Sequence, residues 1–338
     1  MSYLFPLLIL FGLIAVPDAA FSAASQAALL WWTRVLPSLL PYLVASSLLL
    51  KSGILSRCPR RLAPFLLLPL GALGGYPVGA KLAGKLYRDG ILTLPDAQKA
   101  AAFTSLPNPV FLISVVAAGF FHESRTALPL LCGIYGTALF GLIPLSRIRF
   151  PAVKPSAPPA LARDLPAAIS DGMQAILQIG GCLVFASVLG ALLDATGVFR
   201  LFGANAPAAR AAALGLFEMT SGVSALAALP LSLPLRLAFS AFFLQFGGIS
   251  VLLQSASQLS LSLPRYCLIR LMTALAAALA VFLLTPLFCP DAAVPTLATG
   301  AEMRRNVFDL FAVSLSSAFG LLLVFVFTFG LSKGKRTP

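Results

Sequence analysis

Charge is scarce in this chain. Of 338 residues only 10% are charged, and there is one histidine, His122. The five cysteines are Cys58, Cys132, Cys182, Cys267 and Cys289, and no two are spaced as C-x-x-C. A zinc site needs a Cys/His cluster that this pattern lacks, so the cysteines read as small apolar packing residues and no metal is expected. There is no G-x-x-x-x-G-K-[ST] run, which excludes a P-loop. No nucleophile–base pair is visible either. The chain therefore reads as a non-enzyme without a resident cofactor.

Apolar residues are abundant. They make up 59% of the chain, and the mean hydropathy is +0.94. Apolar runs fall at about 3–22, 27–50, 62–80, 98–121, 126–146, 167–193, 207–228, 237–257, 266–288 and 307–331. A helix of roughly 20 apolar residues spans the hydrocarbon core, so the class is an all-α polytopic membrane protein with the lipid bilayer as its partner. The runs are continuous rather than alternating, which argues against a β-barrel. Residues 1–25 resemble a signal peptide but lack a basic leading segment, so they are read as a first membrane helix.

The net charge of +13 would suggest nucleic acid in a soluble protein. Here the basic residues lie mostly in short loops, so they report topology and no nucleic-acid partner is expected. Loops 51–61 and 81–99 carry four Lys or Arg each. They should share the cytoplasmic side, and they do so if 62–80 dips into the membrane and returns. Making 207–228 re-entrant too leaves about eight spans with both termini cytoplasmic. The inner side then also holds four basic residues in 147–163, Arg265 and Arg270, and three in the tail. The outer side holds Arg125, Arg200, Arg210, Arg236, Arg304 and Arg305. Arg34 lies within a span.

The two halves resemble each other. "AFTSLPNPVFLISVV" (102–116) aligns without gaps to "AFSAFFLQFGGISVL" (238–252), and two further stretches match in the same order. Three crossings per repeat make the second repeat inverted. The expected organisation is an N-terminal transmembrane helix (1–24), a first repeat (25–148), a proline-rich cytoplasmic linker (149–166), a second repeat (167–290), and a C-terminal transmembrane helix with a basic tail (291–338).

A re-entrant hairpin exposes backbone groups that protein, water or solute must satisfy. In "GGYPVGAK", Gly74, Gly75 and Gly79 permit the turn, Pro77 fixes φ, and Tyr76 offers a hydroxyl. In "TSLPNPVF", Pro107 and Pro109 flank Asn108 and should break the helix, with Thr104 and Ser105 beside the break. In "FEMTSGVSAL", Glu218 is the only carboxylate between Asp194 and Asp291, and Thr220, Ser221 and Gly222 would form the second tip. An intramembrane carboxylate is costly to bury and marks function, so Glu218 is the candidate for a polar solute, a coupling cation or a proton. Pairing with a basic group such as Arg34 is the structural alternative. In "LQFGGIS", Gly247 and Gly248 would open the symmetry-related helix, with Gln245 and Ser250 as polar groups. Residues 81–100 read as an amphipathic arm, with a turn at Asp89-Gly90 and Thr93 capping a helix with Asp96.

The run "GGYPVGAKLAGKLYRDGILTLPDAQKAAAFTSLPNPVFL", with "EMTSG" in the second half, resembles the sporulation integral membrane protein YlbJ family. That family is placed in the wider nucleoside-recognition (Gate) domain group, which is similar to parts of concentrative nucleoside transporters and of the ferrous-iron transporter B membrane region. The resemblance covers roughly residues 25–290. One departure is the Thr104–Pro109 run, where relatives are expected to carry an Asn-Asn-Ser/Ala-Gly-Pro run. The resemblance implies a Gate-type inverted repeat linked to spore maturation and names no solute. The reading is a transporter or permease for a small polar solute. The alternative is a non-transporting protein that supports spore maturation or envelope assembly. Self-association is left open.

Overall fold

The computed structural model describes residues 3–52, 58, 62–150 and 161–290. Among the described residues all regular structure is helical. The elements are α1 (Leu4–Ala15), α2 (Pro17–Lys51, with a wide π-type stretch at Trp31–Val35), α3 (Ala63–Gly74), α4 (Val78–Arg88), α5 (Leu94–Thr104) and α6 (Phe111–Phe120). They continue as α7 (Ser124–Ser146), α8 (Leu161–Ala195), α9 (Ala206–Phe217), α10 (Met219–Ala227), α11 (Leu233–Phe246), α12 (Gly248–Gln258) and α13 (Leu263–Phe288). Proline stands in the first turn of many of these helices, as at Pro17, Pro64, Pro95, Pro207, Pro234 and Pro264. There its missing N–H costs nothing and its fixed φ suits the helix.

Five helical stretches are long and apolar enough to cross a membrane: α2, α7, α8, α11–α12 together, and α13. Large apolar side chains such as Phe11, Phe21, Phe140 and Leu287 are exposed on the outside, where lipid rather than water would meet them. These features make the chain an all-α polytopic membrane protein. The α11–α12 element is the most deeply buried of the five, and Phe243, Leu244 and Leu237 at its centre are fully enclosed.

The first segment differs from expectation. The predicted helix 1–24 is interrupted at Val16, because Pro17 starts a new helix that continues past residue 24 to Lys51. The 12-residue α1 reaches only about 18 Å at 1.5 Å per residue, short of a roughly 30 Å core. The span expected at 307–331, most of the 149–166 linker and most of loop 51–61 lie outside the described residues.

Side-chain contacts fix the direction of the hairpins. Asp171 in α8 forms ion pairs with Lys51 at the end of α2 (3.2 Å) and with Lys81 in α4 (3.5 Å). The chain between Lys51 and Lys81 therefore returns to the end of the molecule from which it left, and α3–α4 is a hairpin. The second hairpin, α9–α10, opens at the other end of α8. Arg210 at its start pairs with Asp194, and the Ala227 carbonyl at its close accepts from Arg236 of α11 (2.6 Å). From there α11–α12 runs back to the first end, where Arg88 donates to the Gln258 carbonyl (2.9 Å) and Gln98 to the Ser260 carbonyl (2.7 Å). The two hairpins thus open at opposite ends of the molecule.

Both helices beside the hairpins are broken. The first stops at Thr104 and resumes after the Pro107–Pro109 stretch. The second breaks at Gly247, whose φ of +86° suits glycine. The gap-free alignment of the expected repeats would place that second break at 241–244, a few residues before the observed one. The arm follows expectation more closely. Gly90 turns the chain at φ +69°, and the Thr93 hydroxyl accepts from the Asp96 amide (3.3 Å) and donates to the Asp96 carboxylate (2.9 Å).

Candidate functional site

The hairpin tips and broken helices meet at a narrow cavity of about 30 Å³. Its wall includes Gly74, Gly75 and Tyr76 from the first tip, Asn108 from the first break, and Glu218 and Thr220 from the second tip. Ser250, Val251 and Gln254 come from α12, and Phe111, Val35, Leu39 and Ile179 supply an apolar side. Seven of the fourteen sequence-predicted residues thus converge here: Gly74, Gly75, Tyr76, Asn108, Glu218, Thr220 and Ser250.

Glu218 is the one residue between α9 and α10 with extended backbone, at φ −149° and ψ 122°. Its carboxylate accepts the Ser221 amide at 2.8 Å and so caps α10, where a negative group is favoured. It is buried, and among the described residues no ion pair reaches it, Arg34 included. Gln254 lies across the cavity. Its Nε2 donates to Ser250 Oγ at 3.1 Å, while its buried Oε1 has no partner. A carboxylate and an unpaired carbonyl oxygen on one small cavity leave acceptors for a donor or a cation.

Asn108 holds the first tip in place. It donates to the Leu73 carbonyl, and its Oδ1 accepts the Val110 amide at 2.8 Å. Tyr135 donates to the neighbouring Pro107 carbonyl at 2.7 Å. Much of the hydrogen-bonding capacity freed by the break is therefore met by protein.

The other seven predicted residues are placed elsewhere. Thr104 Oγ1 and Ser105 Oγ turn back onto the Ala100 and Ala101 carbonyls, at 2.7 and 2.6 Å, because a helix end offers hydroxyls a local acceptor. Gly79 packs on the Thr104 carbonyl, and Gly222 packs on the Gly215 backbone. Thr220, Ser221 and Gly222 belong to the first turn of α10, so the second tip is Glu218 itself. Ser221 Oγ lies 3.1 Å from Ser187 Oγ of α8. Gln245 is buried away from the cavity with its Oε1 unpaired. Pro77 lines a second cleft of about 130 Å³ behind the first tip, with Lys51, Lys81, Lys85, Arg88 and Asp171 around it. The first tip is therefore the wall between a basic cleft and the inner cavity.

Arg270, which the charge count assigned to a cytoplasmic loop, is the largest correction. It sits inside α13 at 1% exposure. Its guanidinium donates to the Ser105 carbonyl, the Gln245 carbonyl, the Phe246 carbonyl (3.3 Å) and the Tyr76 hydroxyl. Tyr76 in turn donates to the Leu244 carbonyl at 2.8 Å. The available signal was an arginine within an apolar run, in a stretch without acidic residues.

The chain is 29% identical over 294 aligned residues to the sporulation integral membrane protein YlbJ of Bacillus subtilis (strain 168), with 73% of this chain and 72% of that protein covered. That protein is by its name an integral membrane protein, in agreement with the five long apolar helical stretches of this chain. No protein-family model and no solved structure matches this chain.

Proposed function

We propose that this chain is a Gate-type secondary transporter or permease for a small polar solute and that it serves sporulation. The observation that carries the reading is the convergence of two oppositely opened hairpins and two broken helices on one buried carboxylate, Glu218. Broken helices at a repeat interface are the usual substrate and ion sites of inverted-repeat transporters. The sporulation link rests on the YlbJ relative.

The cavity volume of about 30 Å³ admits two or three waters, each needing roughly 10–15 Å³ on this measure. A metabolite enters only when a hairpin tip withdraws. The first tip, between cavity and basic cleft, is the wall that has to move. Glu218 is then the solute-binding acid, or the group that takes up a coupling proton or cation.

The test is uptake of a panel of labelled small polar metabolites into proteoliposomes. Wild-type protein is expected to accumulate at least one of them, and Glu218→Gln to lose most of that uptake. Equal uptake by the two proteins would remove the role of Glu218. Absence of uptake across the panel, together with capture of a spore-envelope protein, would replace transport with a scaffolding role.

A further inference from the structure

We propose that Arg270 is a built-in cation, occupying the place where the carbonyls at two helix ends would otherwise collect a metal ion. The inference concerns folding and charge and stands whether or not the chain transports.

Three observations carry it. First, the acceptors are helix C-termini. Ser105 is the C-cap of α5, while Gln245 and Phe246 close α11 just before Gly247. Each C-terminus carries roughly half a negative charge, so two of them balance about one guanidinium. Second, among the described residues no counter-ion meets the charge. Among the described residues no carboxylate pairs with Arg270, which also meets the Tyr76 hydroxyl and ring, 5.3 Å from guanidinium carbon to ring centre. A buried charge without a carboxylate persists only if dipoles replace its hydration. Third, the planar fork of arginine reaches several acceptors at once, and here it ties both broken helices to the first hairpin tip.

A ring of converging backbone carbonyls is also what desolvates a monovalent cation. Arginine fills that ring permanently. The consequence is specific: deleting the guanidinium creates a vacancy with affinity for sodium or potassium, and any coupling ion of the wild type binds elsewhere.

The experiment measures thermal unfolding of the purified full chain in choline, sodium or potassium chloride at equal ionic strength. Arg270→Ser is expected to unfold several degrees lower than wild type in choline. It should regain part of that loss in sodium or potassium, beyond any response of the wild type. A folded Arg270→Ser that responds no more than wild type overturns the proposal. If Arg270→Ser does not fold in any salt, Arg270→Lys against Arg270→Met decides the matter, since Met keeps bulk and loses charge. The Lys variant is expected to be the more stable in choline, and equal or reversed stabilities overturn the proposal.

Discussion

Gly215 and Gly222 face each other across the second hairpin so closely that a Cβ built on Gly222 would lie 2.1 Å from the Gly215 Cα. The obstacle is backbone, which cannot rotate away as a side-chain end does. This contact lets α9 and α10 fold back on each other and puts Glu218 at their turn. Gly222→Ala is expected to destabilise by about 1–3 kcal/mol, the usual cost of overpacking. Gly136→Ala is the control, because a Cβ there meets nothing within 4 Å. Unfolding in detergent should separate the two variants, and equal melting temperatures would mean that the helices part without penalty.

The Tyr76 hydroxyl is the second point of leverage. It accepts from Arg270 and donates to the Leu244 carbonyl, so it fixes the first tip to α11 and α13. Tyr76→Phe keeps the ring and removes one partner each from Arg270 and the buried Leu244 carbonyl. Its expected cost is about 1–3 kcal/mol, the desolvation penalty of unpaired buried groups. A melting temperature equal to wild type would show that water replaces the hydroxyl at the tip.

These two contacts also show what the sequence makes legible. The hairpins can be read from Gly74 to Pro77, from the lone carboxylate Glu218 and from the positions of lysine and arginine, because each is a local departure from a uniform apolar pattern. The Thr93 cap is legible for the same reason. The partners of Arg270 are not, because they are carbonyls, which every residue has. Only the fold decides which of them converge. Thr104 and Ser105 mislead in the opposite direction. Their hydroxyls sit at the expected break, yet the nearest acceptors belong to their own helix. Gln254 carries no such mark, because it stands one helical turn beyond Ser250, outside the glycine motif.

Glu218 serves two roles that substitutions can separate. As an N-cap it accepts the Ser221 amide, a role that glutamine can also fill. Glu218→Ala is therefore expected to lose about 0.5–2 kcal/mol, the usual cost of removing a cap, while Glu218→Gln stays near wild type in stability. Thermal unfolding of both variants checks this. If Glu218→Gln melts as low as Glu218→Ala, charge rather than capping holds the tip, and the uptake test would need a different substitution.

Topology follows from Asp171. Its ion pairs with Lys51 and Lys81 hold the end of α2 and the returning limb of the first hairpin at one end of the molecule, and Asp194 with Arg210 marks the other end. In a background without native cysteines, Ser52→Cys and Asp89→Cys are expected to react with a membrane-impermeant maleimide from the same side, and Arg200→Cys from the opposite side. Ser52 and Asp89 lie beside the basic loops, so their side is expected to be cytoplasmic. Labelling of Ser52→Cys and Asp89→Cys from opposite sides would turn the first hairpin into a full crossing. The two repeats would then run parallel, and Glu218 and Tyr76 would no longer be the tips of two hairpins entering from opposite faces.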